Sequence, residues 1–251
     1  MAELSSLFQT EYGWMIVFIA ATLIGMSKTG IQGMTTLAIP FTALAFGAKE
    51  STGVILPLLC FSDIIAVSYY RRQAEWRCIL KVLPMAIIGF FIAIGVDKLI
   101  PSSQFKYLMA FSILTVIGVM IWQKYRKNST MWVRNPFVSG AFGLLGGFTT
   151  MIGNAAGPVM AVYLLSLQLP KYSFVGTNAW FFLVINLLKM PLQIWVWHNI
   201  TSSTLLIDAC CIPFMLVGAL IGIWFVKKLP EKKYRMFITI VTILSTLLLL
   251  L

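Results

Sequence analysis

Two lysines, one aspartate and a few amides and hydroxyls carry the usable chemistry of an otherwise apolar chain. The first group is Gly25-Met-Ser-Lys28-Thr29-Gly30-Ile-Gln32-Gly33, closed by Pro40. The second is Gly146-Gly-Phe-Thr149-Thr150-Met-Ile-Gly153-Asn154-Ala155-Ala-Gly157-Pro158. Glycine lets backbone come close to a ligand. A helix restarting after a break aims unpaired N–H groups, and the positive end of its dipole, at whatever lies there. Hydroxyls and amides add neutral donors, and Lys28 adds a charge, so both groups suit an oxyanion. The same glycines also suit a close helix crossing, and Lys28 reads equally well as an ordinary loop lysine.

A third group lies on the segment Tyr172–Trp197. At about 100° per residue, Asn178, Lys189, Gln193 and Asn186 fall within about 80° of one another on one helix face. Lipid penalises such a face, by about 2.5–3.5 kcal/mol for a central lysine. The face therefore looks into the protein or a watery path, unless Lys189 snorkels to the outer interface. Asp63 is the carboxylate nearest the middle of an apolar segment. It can pair with Lys189 or Lys28, or carry a coupling proton. Asp208 sits near a segment start and reads as interfacial.

Catalysis finds no such grouping. The single histidine, His198, lies beside Trp195 and Trp197, a membrane-interface pattern. No metal cluster, nucleophile–base pair or cofactor-binding loop can be assembled, so neither an enzyme nor a cofactor is expected. The four cysteines (Cys60, Cys78, Cys210, Cys211) lack metal-type spacing and read as small apolar residues.

The elements that hold these groups follow from composition. Of 251 residues, 59% are apolar and 11% charged, against about 25% charged in soluble domains. Mean hydropathy is +0.90. A net charge of +11 would suit nucleic acid, but so apolar a chain cannot coat a basic soluble surface. Soluble enzyme, nucleic-acid binder and disordered chain are all excluded. The expected class is an all-α polytopic membrane protein, its partners the lipid bilayer and a small anion, with a homo-oligomer left open.

Charge-free runs are Tyr12–Ser27, Thr29–Ala48, Ser51–Tyr70, Val82–Val96, Tyr107–Gln123, Asn135–Pro170, Tyr172–Trp197, Ala209–Val226 and Met236–Leu251, interrupted only by Asp63 and Lys189. At roughly 20 residues per crossing these give about eight to ten spans. Asn135–Pro170 is too long for one, and Gly146, Gly147, Gly153, Gly157 and Pro158 supply a break. Ten segments result, the first two of each half being glycine-broken helices or re-entrant hairpins.

With the N-terminus outside, inside connections hold fifteen cations: Lys28, Arg71, Arg72, Arg77, Lys81, Lys124, Arg126, Lys127, Arg134, Lys171, Lys227, Lys228, Lys232, Lys233 and Arg235. Only Lys49, Lys98 and Lys106 fall outside. That asymmetry is the positive-inside signature.

The halves also resemble each other. Pro84-Met-Ala-Ile-Ile-Gly89 and Lys98-Leu-Ile-Pro101 meet Pro213-Phe-Met-Leu-Val-Gly218 and Lys227-Lys-Leu-Pro230 at a spacing of 129. Gly53 and Asp63 meet Gly176 and Asn186 at 123, and Pro40 meets Pro158 at 118. Residues 1–127 and 128–251 thus read as two repeats. Five segments per half is odd, so the second repeat is inserted upside down, an architecture of secondary transporters.

These residues resemble the TauE/SafE family of sulfite exporters over nearly the whole chain. The likeness rests on Gly-Met-Ser-Lys28-Thr-Gly30-x-x-Gly33, Ile-Pro40, Gly53-x-x-x-Pro57, Asp63, Tyr70-Arg71-Arg72 with Trp76, and Pro84 to Gly89. It continues through Gly147-Phe-Thr-Thr-Met151, Asn154-Ala-Ala-Gly-Pro158, Tyr163-Leu-Leu, Val175-Gly-Thr177 and Asn186-x-x-Lys189-x-Pro191. It implies export from the cytoplasm, across a bacterial-type inner (plasma) membrane, of sulfite or an organosulfonate such as sulfoacetate. A proton-coupled anion importer is the alternative, with a membrane-embedded enzyme or an assembly subunit further behind.

Overall fold

A computed structural model describes residues 7–47, 49–99 and 135–248, with Tyr107 and Gly118. Among these residues all regular structure is helical. Helices α1 (Gly13–Thr29) and α2 (Met34–Phe46) flank the first break. The short α3 (Glu50–Val54) runs into α4 (Leu56–Tyr70), and a 3-10 turn leads to α5 (Trp76–Leu99). Helices α6 (Pro136–Gly153) and α7 (Ala156–Ser166) flank the second break. They are followed by α8 (Lys171–Trp195), α9 (Ser202–Lys228) and α10 (Glu231–Leu248). The expected segment Tyr107–Gln123, apart from Tyr107 and Gly118, lies outside the described residues, as do Lys106, Lys124, Arg126, Lys127 and Arg134.

Five stretches are long and apolar enough to cross a membrane: Glu50–Gln73, α5, α6, α8 and α9. Helices α1, α2 and α7 are apolar but shorter. Leu80 and Phe91 on α5, with Leu206, Val217 and Leu220 on α9, point outward and exposed. So large an apolar face requires a lipid cover.

Charge-free runs underestimate the helices at their ends. Helix α9 starts not at Ala209 but at Ser202, where a capping box is formed: Thr201 accepts from the Thr204 N–H and Thr204 accepts from the Thr201 N–H. Asp208 therefore lies in the second turn of α9, buried, and its carboxylate oxygens have no hydrogen-bond partner among the described residues. At the other end Lys227 and Lys228 simply prolong the last turn.

The second break is narrower than the glycines indicate. It consists of Asn154 and Ala155, with Asn154 in the left-handed region at φ 54°. Gly146 and Gly147 lie within α6, where Gly147 serves a helix crossing instead. The first break likewise starts later than Gly25, because α1 continues to Thr29. Helices α2 and α7 begin at Met34 and Ala156, 122 positions apart. Pro40 is the seventh residue of α2 and Pro158 the third of α7, so the two prolines do not occupy matching turns.

Helix α1 packs along α9, α6 along α5, and α4 along α8. The first two contacts are glycine crossings of the same design. A Cβ on Gly25 would lie 2.1 Å from the Met215 carbonyl oxygen, and one on Gly218 would lie 2.1 Å from that of Thr22. On the other pair, a Cβ on Gly147 would lie 1.8 Å from the Ala86 oxygen, and one on Gly89 2.1 Å from that of Leu144. Gly147 and Leu144 follow Gly25 and Thr22 by 122 positions, while Met215 and Gly218 follow Ala86 and Gly89 by 129. Backbones touch at each point, which only glycine permits.

A Gly147→Ala change is expected to lower stability by about 1–3 kcal/mol through overpacking. Gly146→Ala should be near neutral, since its Cβ would sit 3.8 Å from the Met160 sulfur in ordinary contact. Thermal unfolding of the two purified variants in detergent checks this contrast.

Candidate functional site

A helix end leaves carbonyls without an intrahelical partner, and at the first break distant side chains supply the missing donors. The Tyr70 hydroxyl donates to the Thr29 carbonyl at 3.0 Å, and the Tyr234 hydroxyl to that of Gly30 at 2.7 Å. At the end of α6 the Thr150 carbonyl accepts from its own Asn154 N–H at 3.0 Å and, as a second donor, from Lys189 Nζ at 2.8 Å. The Lys189 ammonium also reaches the Thr150 hydroxyl and the Asn154 side-chain oxygen. A cation at a helix C-terminus is favoured by the dipole as well. The chain restarts through Gly33, whose φ of 101° suits glycine, and neither α2 nor α7 has a side-chain cap on its first turn.

Lys28 is not a loop lysine. It lies in the last turn of α1, buried, with its Nζ 2.9 Å from Asp63 Oδ1 and 3.1 Å from Oδ2. The ammonium also sits 4.1 Å from the centre of the Phe182 ring. Asn186 donates to Asp63 Oδ2 at 2.7 Å. This removes Lys28 from the loop cations that mark topology. Of the two lysine partners open to Asp63, the fold selects Lys28. Lys189 does not snorkel: it is fully buried. The polar face of α8 does turn inward, with Asn178, Asn186, Lys189 and Gln193 all buried while Leu187 and Leu188 are exposed.

A cavity opens where the two breaks meet α8. Lys28, Gln32 and Gly33 line it from the first break, and Thr150, Asn154 and Gly157 from the second. Asn178 and Asn186 line it from α8. Ser27, Thr35 and Thr36 add hydroxyls, and Leu59 and Phe182 add apolar wall. Counting all space between these atoms together with the open mouth, it measures about 390 Å3.

The other expected residues stand behind this lining. Thr29 donates to the carbonyls of Gly25 and Ala219, tying α1 to α9. Gly30 faces the Gly222 carbonyl of α9. Thr149 returns its proton to its own helix at Leu145, and Ala155 is core. Gln193 donates to the Thr52 hydroxyl and accepts from Asn199, closing the turn after α8. Asn154 donates to the Thr52 carbonyl at 3.0 Å while its oxygen holds Lys189, so both ends of its amide are engaged. Ser27, Thr35 and Thr36 carry no charge or glycine signal. They become visible only as hydroxyls bracketing Lys28 and Gly33 on the walls of the break.

The Lys28–Asp63 pair generates a direct test. Breaking a buried pair by removing one partner costs about 3–5 kcal/mol, whereas replacing both by apolar residues of similar volume is often neutral. Asp63→Ala should therefore unfold at markedly lower temperature, and the double change Lys28→Met with Asp63→Leu should recover most of the loss. Thermal melts of the single and double variants measure both.

No match was found among curated proteins or solved structures. The family profile described as Sulfite exporter TauE/SafE matches residues 16–249. That is nearly the whole chain, and it includes both breaks, the Lys28–Asp63 pair and the polar face of α8. The chain belongs to the TauE/SafE sulfite exporter family of membrane transporters.

Proposed function

We propose that this chain is a secondary carrier that exports sulfite or a related organosulfonate, such as sulfoacetate, from the cytoplasm by alternating access. The observation that carries the reading is the cavity at the junction of two broken helices, walled by a buried lysine and by hydroxyl and amide groups from both breaks. Hydroxyls, amides and uncapped helix starts recognise oxyanions through many neutral donors. Broken helices meeting near a midplane are how secondary transporters build such sites.

Two inverted halves, residues 1–127 and 128–251, account for alternating access. The contacts of α1 with α9 and of α6 with α5 exchange when the halves are swapped, and the contact of α4 with α8 maps onto itself. Halves that can trade conformations interconvert inward-open and outward-open states without either state being new. In this reading the N-terminus faces outward from a bacterial-type inner membrane, and Arg71, Arg72, Arg77 and Lys81 lie at the cytoplasmic side.

Export needs no second ion. Across an inside-negative membrane, each negative charge moving outward gains about 2.3 kcal/mol per 100 mV. Uptake would need a coupled proton or sodium. Asp63 is already engaged by Lys28 and Asn186, which weighs against its serving as that proton's carrier.

Proteoliposomes loaded with labelled sulfite, sulfoacetate or thiosulfate, each compared with chloride, test the reading. Efflux of at least one sulfur anion should exceed that of chloride and should rise with an imposed inside-negative potential. Absence of flux for every anion from well-folded protein would overturn it. Accumulation against the potential that requires a pH gradient and disappears in Asp63→Asn would favour the importer.

A further inference from the structure

The cavity carries information about the chemistry of its cargo. Lys28, in its wall, is balanced by Asp63 at 2.9 Å. Lys189 stands just behind, its Nζ held by oxygens of Thr150 and Asn154. The other buried carboxylates, Asp97 and Asp208, do not line the cavity, and Asp97 has its own partner in Lys49 at 3.0 Å.

The same wall also asks for a donor. Asn186 commits its amide N–H to Asp63, which fixes its side-chain oxygen as an acceptor, and that oxygen has no partner among the described residues. Both polar ends of the Gln32 amide, the Thr35 hydroxyl and the Asn178 oxygen are equally unpartnered. All four residues line the cavity and are more than nine-tenths buried. A cargo presenting only acceptor oxygens would satisfy Gln32 Nε2 and the Thr35 proton and strand the amide oxygens. Stranded buried acceptors are costly, so such a site discriminates strongly against ligands that lack the donor.

We infer that the cavity selects a sulfur oxyanion that also presents an O–H or N–H donor, such as hydrogensulfite or a hydroxyalkyl sulfonate, over donor-free sulfonates. This rests on the reading of the cavity as the anion site and narrows it. Sulfoacetate, which carries no such donor near neutral pH, falls on the disfavoured side.

Three anions of nearly equal size test the donor. Isethionate has a hydroxyl, propanesulfonate has a methyl in its place, and sulfoacetate has a carboxylate without a proton. Thermal shifts of the full-length purified chain, titrated with each at neutral pH, report affinity because binding stabilises as ln(1 + [L]/Kd). Isethionate should act at about tenfold lower concentration than either of the others, a discrimination of one decade in Kd. Equal potency of isethionate with either of the others overturns the donor rule. No shift with these three or with sulfite and thiosulfate overturns the anion-site reading itself.

Discussion

A charge cannot stand alone in a dry interior, and the Lys28–Asp63 contact is where the fold meets that constraint. The pair joins the last turn of α1 to the middle of α4, and Asn186 of α8 completes the carboxylate's shell. Three helices from both halves of the chain are thereby fixed around one point. Without Asp63, Lys28 would face a phenyl ring and a polar cavity with no counter-charge. With it, the lysine contributes donors to the cavity, while Lys189 is tied to oxygens of the second break.

The breaks depend on the same economy of polar groups. Interrupting a helix inside an apolar environment exposes backbone carbonyls that neither lipid nor core can solvate. Tyr70 and Tyr234 satisfy those of Thr29 and Gly30 from other helices, and Lys189 adds a second donor to that of Thr150. Backbone ends that elsewhere would be a defect are thereby held fixed behind and beside the polar cavity. Glycine crossings at Gly25, Gly89, Gly147 and Gly218 then bring α1 to α9 and α6 to α5 at backbone contact, so the walls are held by close-packed supports.

What could be read from the chain, and what could not, divides by range. The inward face of α8 followed from helical periodicity, because a 100° step places Asn178, Asn186, Lys189 and Gln193 together whatever surrounds them. That Asp63 was internal followed from its place in an apolar run. Its partner did not follow, since choosing Lys28 over Lys189 depends on how α1 and α4 approach. The tyrosine donors were illegible for the same reason, their targets lying 41 and 204 residues away. The start of α9 was missed by a local oversight: the Thr201 and Thr204 box marks it seven residues earlier than hydropathy does. Gly146 and Gly147 misled because glycine serves both to end a helix and to let two helices touch. Of the ten expected segments the one at Tyr107–Gln123 lies largely outside the described residues.

The central claim is that the anion sits between the two breaks, within reach of Lys28, Gln32, Thr150 and Asn178. Selenite is a heavier sulfite analogue whose selenium gives anomalous scattering, so a crystal structure of the full chain soaked with it locates the site directly. One selenium peak is expected in the cavity bounded by those four residues. A peak only among the surface arginines and lysines, with none between the breaks, would contradict it.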